Sequence, residues 1–207
     1  GITDKPSCPV SLDRPYILAA STRDDEEWRI VDAWQQSNAA NTLLVIVPRH
    51  PNRLPQILGQ LEDKNTEIAV RSRGETISDN TNIYIADTFG ELDRFIAGAK
   101  FVIMGGSFVR RGGQNILECA QQAKAVVFGP DMSNFADEAR LFVEANAGIQ
   151  CAGQEELINA INRLSSDNTL CNELGNNGRK LLQRHSHIID DYMKELMILC
   201  PELSPDI

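Results

Sequence analysis

The stretch KFVIMGGSFVRRGGQNILECAQQAKAVVFGP, Lys100 to Pro130, decides the fold. Residues 100–104, apolar after Lys100, read as a buried strand, and 105–112 form a glycine-rich loop. Residues 113–122 place Ile116, Leu117 and Ala120 at helical spacing, and 125–128 return as a strand that Gly129-Pro130 ends. A strand, a loop, a helix and a second strand in so short a span make a βαβ unit, which belongs to a parallel sheet.

The same rhythm extends in both directions. Upstream, 16–20 reads as a first strand, and Asp24 to Glu27 as an acidic helix start that feeds Trp28, Ile30, Val31 and Trp34 onto one core-facing side. Residues 41–47 form a strand closed by Pro48, followed by a short helix over 54–62, strands near 68–71 and 82–86, and a helix over 89–97. Downstream come an amphipathic 135–145, a last strand at 148–151, helices over 155–164 and 167–184 divided by Ser165-Ser166, a helical 188–199, and a frayed end from Pro201. The pattern predicts a Rossmann-like α/β domain, a parallel sheet flanked by helices, over residues 16–185. Residues 1–15 are a lead-in, and 186–207 a C-terminal helix and tail.

Composition bounds the function. Hydrophobic residues make up 42% of the 207 and charged residues 24%, as in an ordinary globular chain. The longest apolar runs, such as 43–47 and 125–128, fall far short of the roughly 18–20 residues that cross a bilayer. The chain opens on Gly1-Ile2-Thr3 with no signal sequence, which reads as a processed or truncated start and a soluble fragment. Its five cysteines are scattered without a Cys-x-x-Cys pair, so neither a disulfide framework nor a zinc site is indicated, and a reducing cytosol fits. A formal charge of −9 argues against nucleic acid as a partner.

Ligands of open parallel sheets bind where the strands end at their carboxyl edge. The loops expected there carry Arg23, Arg49, His50, Arg53, Arg110 and Arg111, a basic rim on an acidic protein. Such a rim suits phosphate or carboxylate, although each arginine could equally be a solvated loop charge. In the glycine-rich loop, Gly105, Gly106, Ser107 and Gly113 let main-chain N–H groups approach a phosphate, and a helix opening at Gly113 would favour its charge. Asn115 and Glu118 are three apart, on one face, where an amide and a carboxylate could grip ribose hydroxyls. The competing reading makes the glycines packing residues and Glu118 a surface charge. A nicotinamide fingerprint is missing after the first strand, where Ser21-Thr22-Arg23 stands, and no Walker pattern occurs. His185 and His187, two apart, read as solvated, Trp28 and Trp34 as core, and Cys119 as a packed residue. His50, between arginines, reads as a neutral donor.

Four blocks in order resemble the C-terminal half of the bacterial 3-deoxy-D-manno-octulosonic acid (Kdo) transferases. They are Ala20-Ser21-Thr22-Arg23 running into Glu26-Glu27, Val47 to Arg53, Asp87 to Leu92, and Gly105 to Glu118 leading to Gly129-Pro130 and Asn134-Phe135. The resemblance implies a GT-B glycosyltransferase of two Rossmann-like domains. The C-terminal one binds CMP-Kdo, and the N-terminal one binds the lipid A precursor (lipid IVA) and supplies a glutamate general base. It further implies that Pro48 and Arg49 contact the cytosine end, Gly105, Gly106, Ser107, Gly113 and Asn115 the phosphate, and Glu118 the ribose. Arg23, His50, Arg110, Arg111 and Gln114 are further candidates for the donor's carboxylate or phosphate.

The family pattern Gly-Gly-His-Asn-Pro-Leu-Glu appears as Gly112-Gly113-Gln114-Asn115-Ile116-Leu117-Glu118, so a residue that cannot titrate replaces the histidine. Arg23 stands where the family commonly has histidine. The implied function is lipopolysaccharide biosynthesis at the cytoplasmic side of the inner membrane, with no metal or other cofactor and no catalytic residue in this half. The alternatives are the donor domain of a UDP-sugar transferase or epimerase, or a non-catalytic nucleotide-binding module.

Overall fold

The computed structural model describes residues 8–10, 12–64 and 66–199, with side chains described through Arg184. The strands are β1 Tyr16–Thr22, β2 Leu43–Pro48, β3 Ile68–Val70, β4 Ile83–Ile85, β5 Val102–Met104, β6 Val126–Phe128 and β7 Gly148–Gln150. The helices are α1 Glu26–Gln35, α2 Leu54–Leu61, α3 Leu92–Gly98, α4 Leu117–Gln121, α5 Ala136–Glu144, α6 Gln154–Ser166 and α7 Asn168–Leu199. All seven strands are parallel, in the order β3-β4-β2-β1-β5-β6-β7.

The strand order reverses at β1, which lies between β2 and β5, so the crevice of this doubly wound sheet opens between the loops that follow β1 and β5. Each residue of β1 and β2 is buried, as expected of strands covered on both faces, and that burial is why the sequence shows unbroken apolar runs there. Tyr16, Leu18 and Ala20 face a core layer containing Phe95, Cys119 and Phe142, from α3, α4 and α5. Ile17 and Ala19 face the opposite layer, containing Ile30, Ile57 and Ile161, from α1, α2 and α6. Alternation of side chains along each strand separates the two layers.

Four expectations are corrected. The helix read over 113–122 is only Leu117–Gln121. Gly112 and Gly113 both take φ of 77°, in the left-handed region, which a right-handed helix excludes. Helix α3 starts at Leu92 rather than Phe89, because Thr88 and Arg71 hold the Glu91 carboxylate and fix the preceding turn. Ser165-Ser166 does not divide the last helices. Asp167 does, its Oδ1 accepting the Leu170 N–H as an N-terminal cap. Trp28 is 44% exposed, with the Lys64 ammonium 4.7 Å from its ring centre, whereas Trp34 is core. The side chains of His185 and His187, and residues 1–7 and 200–207, lie outside the described residues.

Candidate functional site

The β1–α1 loop is shaped by two non-glycine residues at positive φ, Ser21 at 54° and Asp24 at 51°. That backbone is uncommon and sits at the crevice, where strained geometry concentrates. Behind it, Glu26 and Glu27 are fully buried. The sequence presents them only as the charges of an acidic helix start. Helical spacing carries the contrary signal, because Glu26 precedes Ile30 and Ala33 by four and seven residues, and Glu27 precedes Val31 and Trp34 likewise.

Each glutamate holds a loop. Glu27 accepts the Thr22 hydroxyl at 2.7 Å and pairs with Arg53 through both oxygens, at 2.8 and 3.0 Å. Arg53 also donates to the carbonyls of Thr22 and Asp24, so it is turned inward and does not belong to the basic rim. Glu26 accepts four main-chain N–H groups: Arg23 at 2.9 Å, Gly106 at 2.6 Å, Ser107 at 3.0 Å and Phe108 at 2.9 Å. Burial pushes its carboxyl above the ordinary value, and the N–H donors pull in the opposite sense.

The glycine-rich loop therefore has its first donors occupied by the protein itself. Gly105 N–H goes to the Ala20 carbonyl, and Gly106 and Ser107 go to Glu26. Ser107 is buried, donating its hydroxyl to the Met104 carbonyl and accepting the Gly129 N–H, which ties the ends of β5 and β6 together. Further on, Gly112 N–H bonds Asp131 Oδ2 and Gly113 N–H bonds the Gly106 carbonyl. The main-chain N–H groups of Gln114 and Asn115 have no acceptor among the described residues. The Gln114 side chain donates to the Gly113 carbonyl, and Asn115 Oδ1 accepts the Leu117 N–H at 3.1 Å.

Glu118 stands in the first turn of α4, partly buried, with Asn115 Nδ2 at 3.4 Å from its carboxylate. Burial raises its pKa; the Asn115 bond and the positive charge of Arg49 counter this, and Asp93 adds to it. The charge of Arg49, on the loop after β2, is thus felt at the start of α4. Arg49 itself is exposed, its N–H bonded to the Thr22 carbonyl, while Pro48 is buried opposite Thr22 and His50 is exposed. Asn115 and Glu118 thus stand together at the start of α4, within electrostatic reach of Arg49.

Arg23, Arg110 and Arg111 gather with Asp131 and Asn134 around an open cleft of about 780 Å³. Arg111 pairs with Asp24 at 2.5 Å, which lowers the Asp24 pKa, and the Arg23 Nε is buried without a hydrogen-bond partner among the described residues. Sequence reasoning missed Glu26, Asp131 and Asn134 as shapers of the loop.

No family model matches the chain. It is 32% identical over 186 residues to the 3-deoxy-D-manno-octulosonic acid transferase of Rickettsia bellii, covering 87% of this chain and 44% of that protein. It is 36% identical over 143 residues to the transferase of the same name from Bordetella pertussis, covering 66% of this chain and 33% of that one. Among solved structures, the C-terminal CMP-Kdo binding domain of WaaA from Acinetobacter baumannii superposes with a TM-score of 0.76 at 28% identity, covering 82% of this chain and 90% of that domain. The chain belongs to the Kdo transferase family. It spans less than half the length of these curated Kdo transferases, and the superposition places it with the C-terminal domain of a GT-B enzyme. A C-terminal glycosyltransferase domain from Francisella tularensis, with a TM-score of 0.57 at 12% identity, shares the fold alone. Among the described residues no helix is long and apolar enough to cross a membrane.

Proposed function

We propose that this Kdo transferase domain holds CMP-Kdo, and that the nucleotide lies between Arg49 and the start of α4. The observation that carries the reading is the conjunction there of unspent N–H groups on Gln114 and Asn115, a partly buried carboxylate on Glu118, and the nearby positive charge of Arg49. Backbone donors and a guanidinium suit the phosphate, and a desolvated carboxylate suits vicinal ribose hydroxyls. The short α4 contributes little dipole, so the individual N–H groups and Arg49 supply the attraction. Pro48, exposing little surface at the end of β2, would border the cytosine. Across the crevice, Arg23 and Arg110 suit the carboxylate of an acidic sugar.

In the full protein, a hydroxyl of a lipid A precursor such as lipid IVA attacks the anomeric carbon of Kdo. The bond from that carbon to the CMP phosphate oxygen breaks, and its electron pair leaves with CMP. The hydroxyl proton passes to a base contributed by the acceptor-binding domain. The work of this domain is electrostatic: donors fixed beforehand around the phosphate stabilise the charge that develops as CMP departs, and no divalent metal is called for. The reaction would belong to lipopolysaccharide synthesis on the cytoplasmic side of the inner membrane.

Calorimetry with CMP, UMP and UDP tests the reading. CMP should bind best. Preference for UDP would make this the donor domain of a different nucleotide-sugar enzyme, and no binding of any of the three would leave a module without a nucleotide site.

A further inference from the structure

The feature that the proposed nucleotide site leaves unexplained is a fully buried carboxylate, Glu26, with no ion-pair partner among the described residues and four main-chain N–H groups aimed at it. Three of those donors, on Gly106, Ser107 and Phe108, are consecutive, and such a run forms a concave anion nest. A ligand phosphate placed in this nest would meet a site already filled by a carboxylate, and two anions cannot share it in a desolvated setting. The glycine-rich loop is therefore organised around an anion that the protein supplies from α1.

What the arrangement transmits can be followed bond by bond. Glu26 Oε2 accepts the Gly106 N–H at 2.6 Å. The Gly106 carbonyl accepts the Gly113 N–H at 2.8 Å. Gly113 leads directly into Gln114 and Asn115, whose N–H groups are unspent. On the other side of the crevice, the same Oε2 accepts the Arg23 N–H, so Glu26 also fixes the loop that carries Arg23. One carboxylate thus joins the loop after β1 to the loop after β5 and sets both rims of the crevice relative to each other.

We infer that Glu26 is a positioning residue for donor binding: without touching the nucleotide, its carboxylate holds the Gly106–Phe108 nest, and through Gly113 aligns the N–H groups of Gln114 and Asn115 for the phosphate. This rests on the reading that CMP binds at those groups. Aspartate at the same place would be a methylene short of the nest. Glutamine would set an NH2 donor against N–H donors, leaving at least one of them without an acceptor.

The experiment compares wild type, Glu26→Gln and Tyr16→Phe by CMP calorimetry, thermal unfolding and amide resonances. Tyr16 donates a buried hydroxyl to the Phe95 carbonyl from the start of β1, at the opposite end of the strand from the crevice, and serves as a control for stability loss alone. Expected is a tenfold or greater loss of CMP affinity in the folded Glu26→Gln protein, with altered Gly106, Ser107, Phe108 and Gln114 amide shifts. Tyr16→Phe should bind CMP like wild type. Equal affinity of Glu26→Gln and wild type overturns the role, as does a matching affinity loss in Tyr16→Phe. Failure of wild type to bind CMP instead removes the site reading beneath it. Should Glu26→Gln not fold, wild type decides. Hydrogen-bond couplings from the Gly106, Ser107 and Phe108 N–H groups to the Glu26 carboxyl should persist in the CMP complex, and their loss on binding would show the phosphate displacing Glu26.

Discussion

Replacing Glu118 by alanine separates binding from stability. Among the described residues the Glu118 carboxylate makes one long bond, 3.4 Å from Asn115 Nδ2, and burial raises its pKa, so it is held in a setting that disfavours its charge. Removing it forfeits little native stability, and the stability cost should stay within about 0.5 kcal/mol. Binding is different. A hydrogen bond from a ribose hydroxyl to a carboxylate is worth about 1.5–3 kcal/mol, so CMP affinity should fall roughly 10- to 150-fold. Calorimetry with CMP, paired with urea unfolding, reads both quantities. An affinity unchanged in a protein that unfolds at the wild-type denaturant concentration would refute the assignment of Glu118 to the ribose. A loss of stability matching the loss of affinity would instead make Glu118 a scaffold residue.

Other perturbations bear on the rim and its supports. Arg49→Ala, at an exposed position, should leave stability within about 0.5 kcal/mol while weakening CMP binding and flattening its salt dependence, as titrations at two ionic strengths would reveal. Gly112→Ala would drive a Cβ into the Asn134 side-chain amide at a φ of 77°, so about 1–3 kcal/mol of stability should be lost, with weaker CMP binding, measured by denaturant unfolding and calorimetry. Glu91, held to about 2 by Arg71 and Thr88, gives a pH test. Its depressed folded-state pKa contributes stability above the ordinary value of 4.5, and that contribution fades as pH falls toward 2. Glu91→Gln should therefore cost about 1–2 kcal/mol at pH 7, after allowance for solvent screening, and converge on wild type in acid, as unfolding curves across pH would show.

The sheet was legible because parallel strands buried on both faces leave apolar runs, as in 43–47 and 101–104, that few other structures require. The arginines were legible as a group but not in their pairings. Arg53 turns inward to Glu27 and Arg111 outward to Asp24, choices made by residues distant in sequence. The start of α4 was misread because paired glycines suggest a helix-opening phosphate loop, whereas Gly112 and Gly113 both take a left-handed backbone and the helix begins only at Leu117, whose N–H the Asn115 Oδ1 accepts. Glu26 escaped notice because acidic residues at a helix start usually compensate the dipole in solvent. Its burial depends on the glycine-rich loop some eighty residues later folding over it, as the Gly106 and Ser107 bonds record.

A crystal structure with CMP bound tests the central claim most directly. The phosphate should lie within hydrogen-bond reach of the Gln114 and Asn115 N–H groups with the ribose against Glu118 and Arg49 nearby. Nucleotide density confined to the Arg23, Arg110 and Arg111 cleft, or resting on the Gly106 and Ser107 N–H groups with Glu26 expelled, would contradict it.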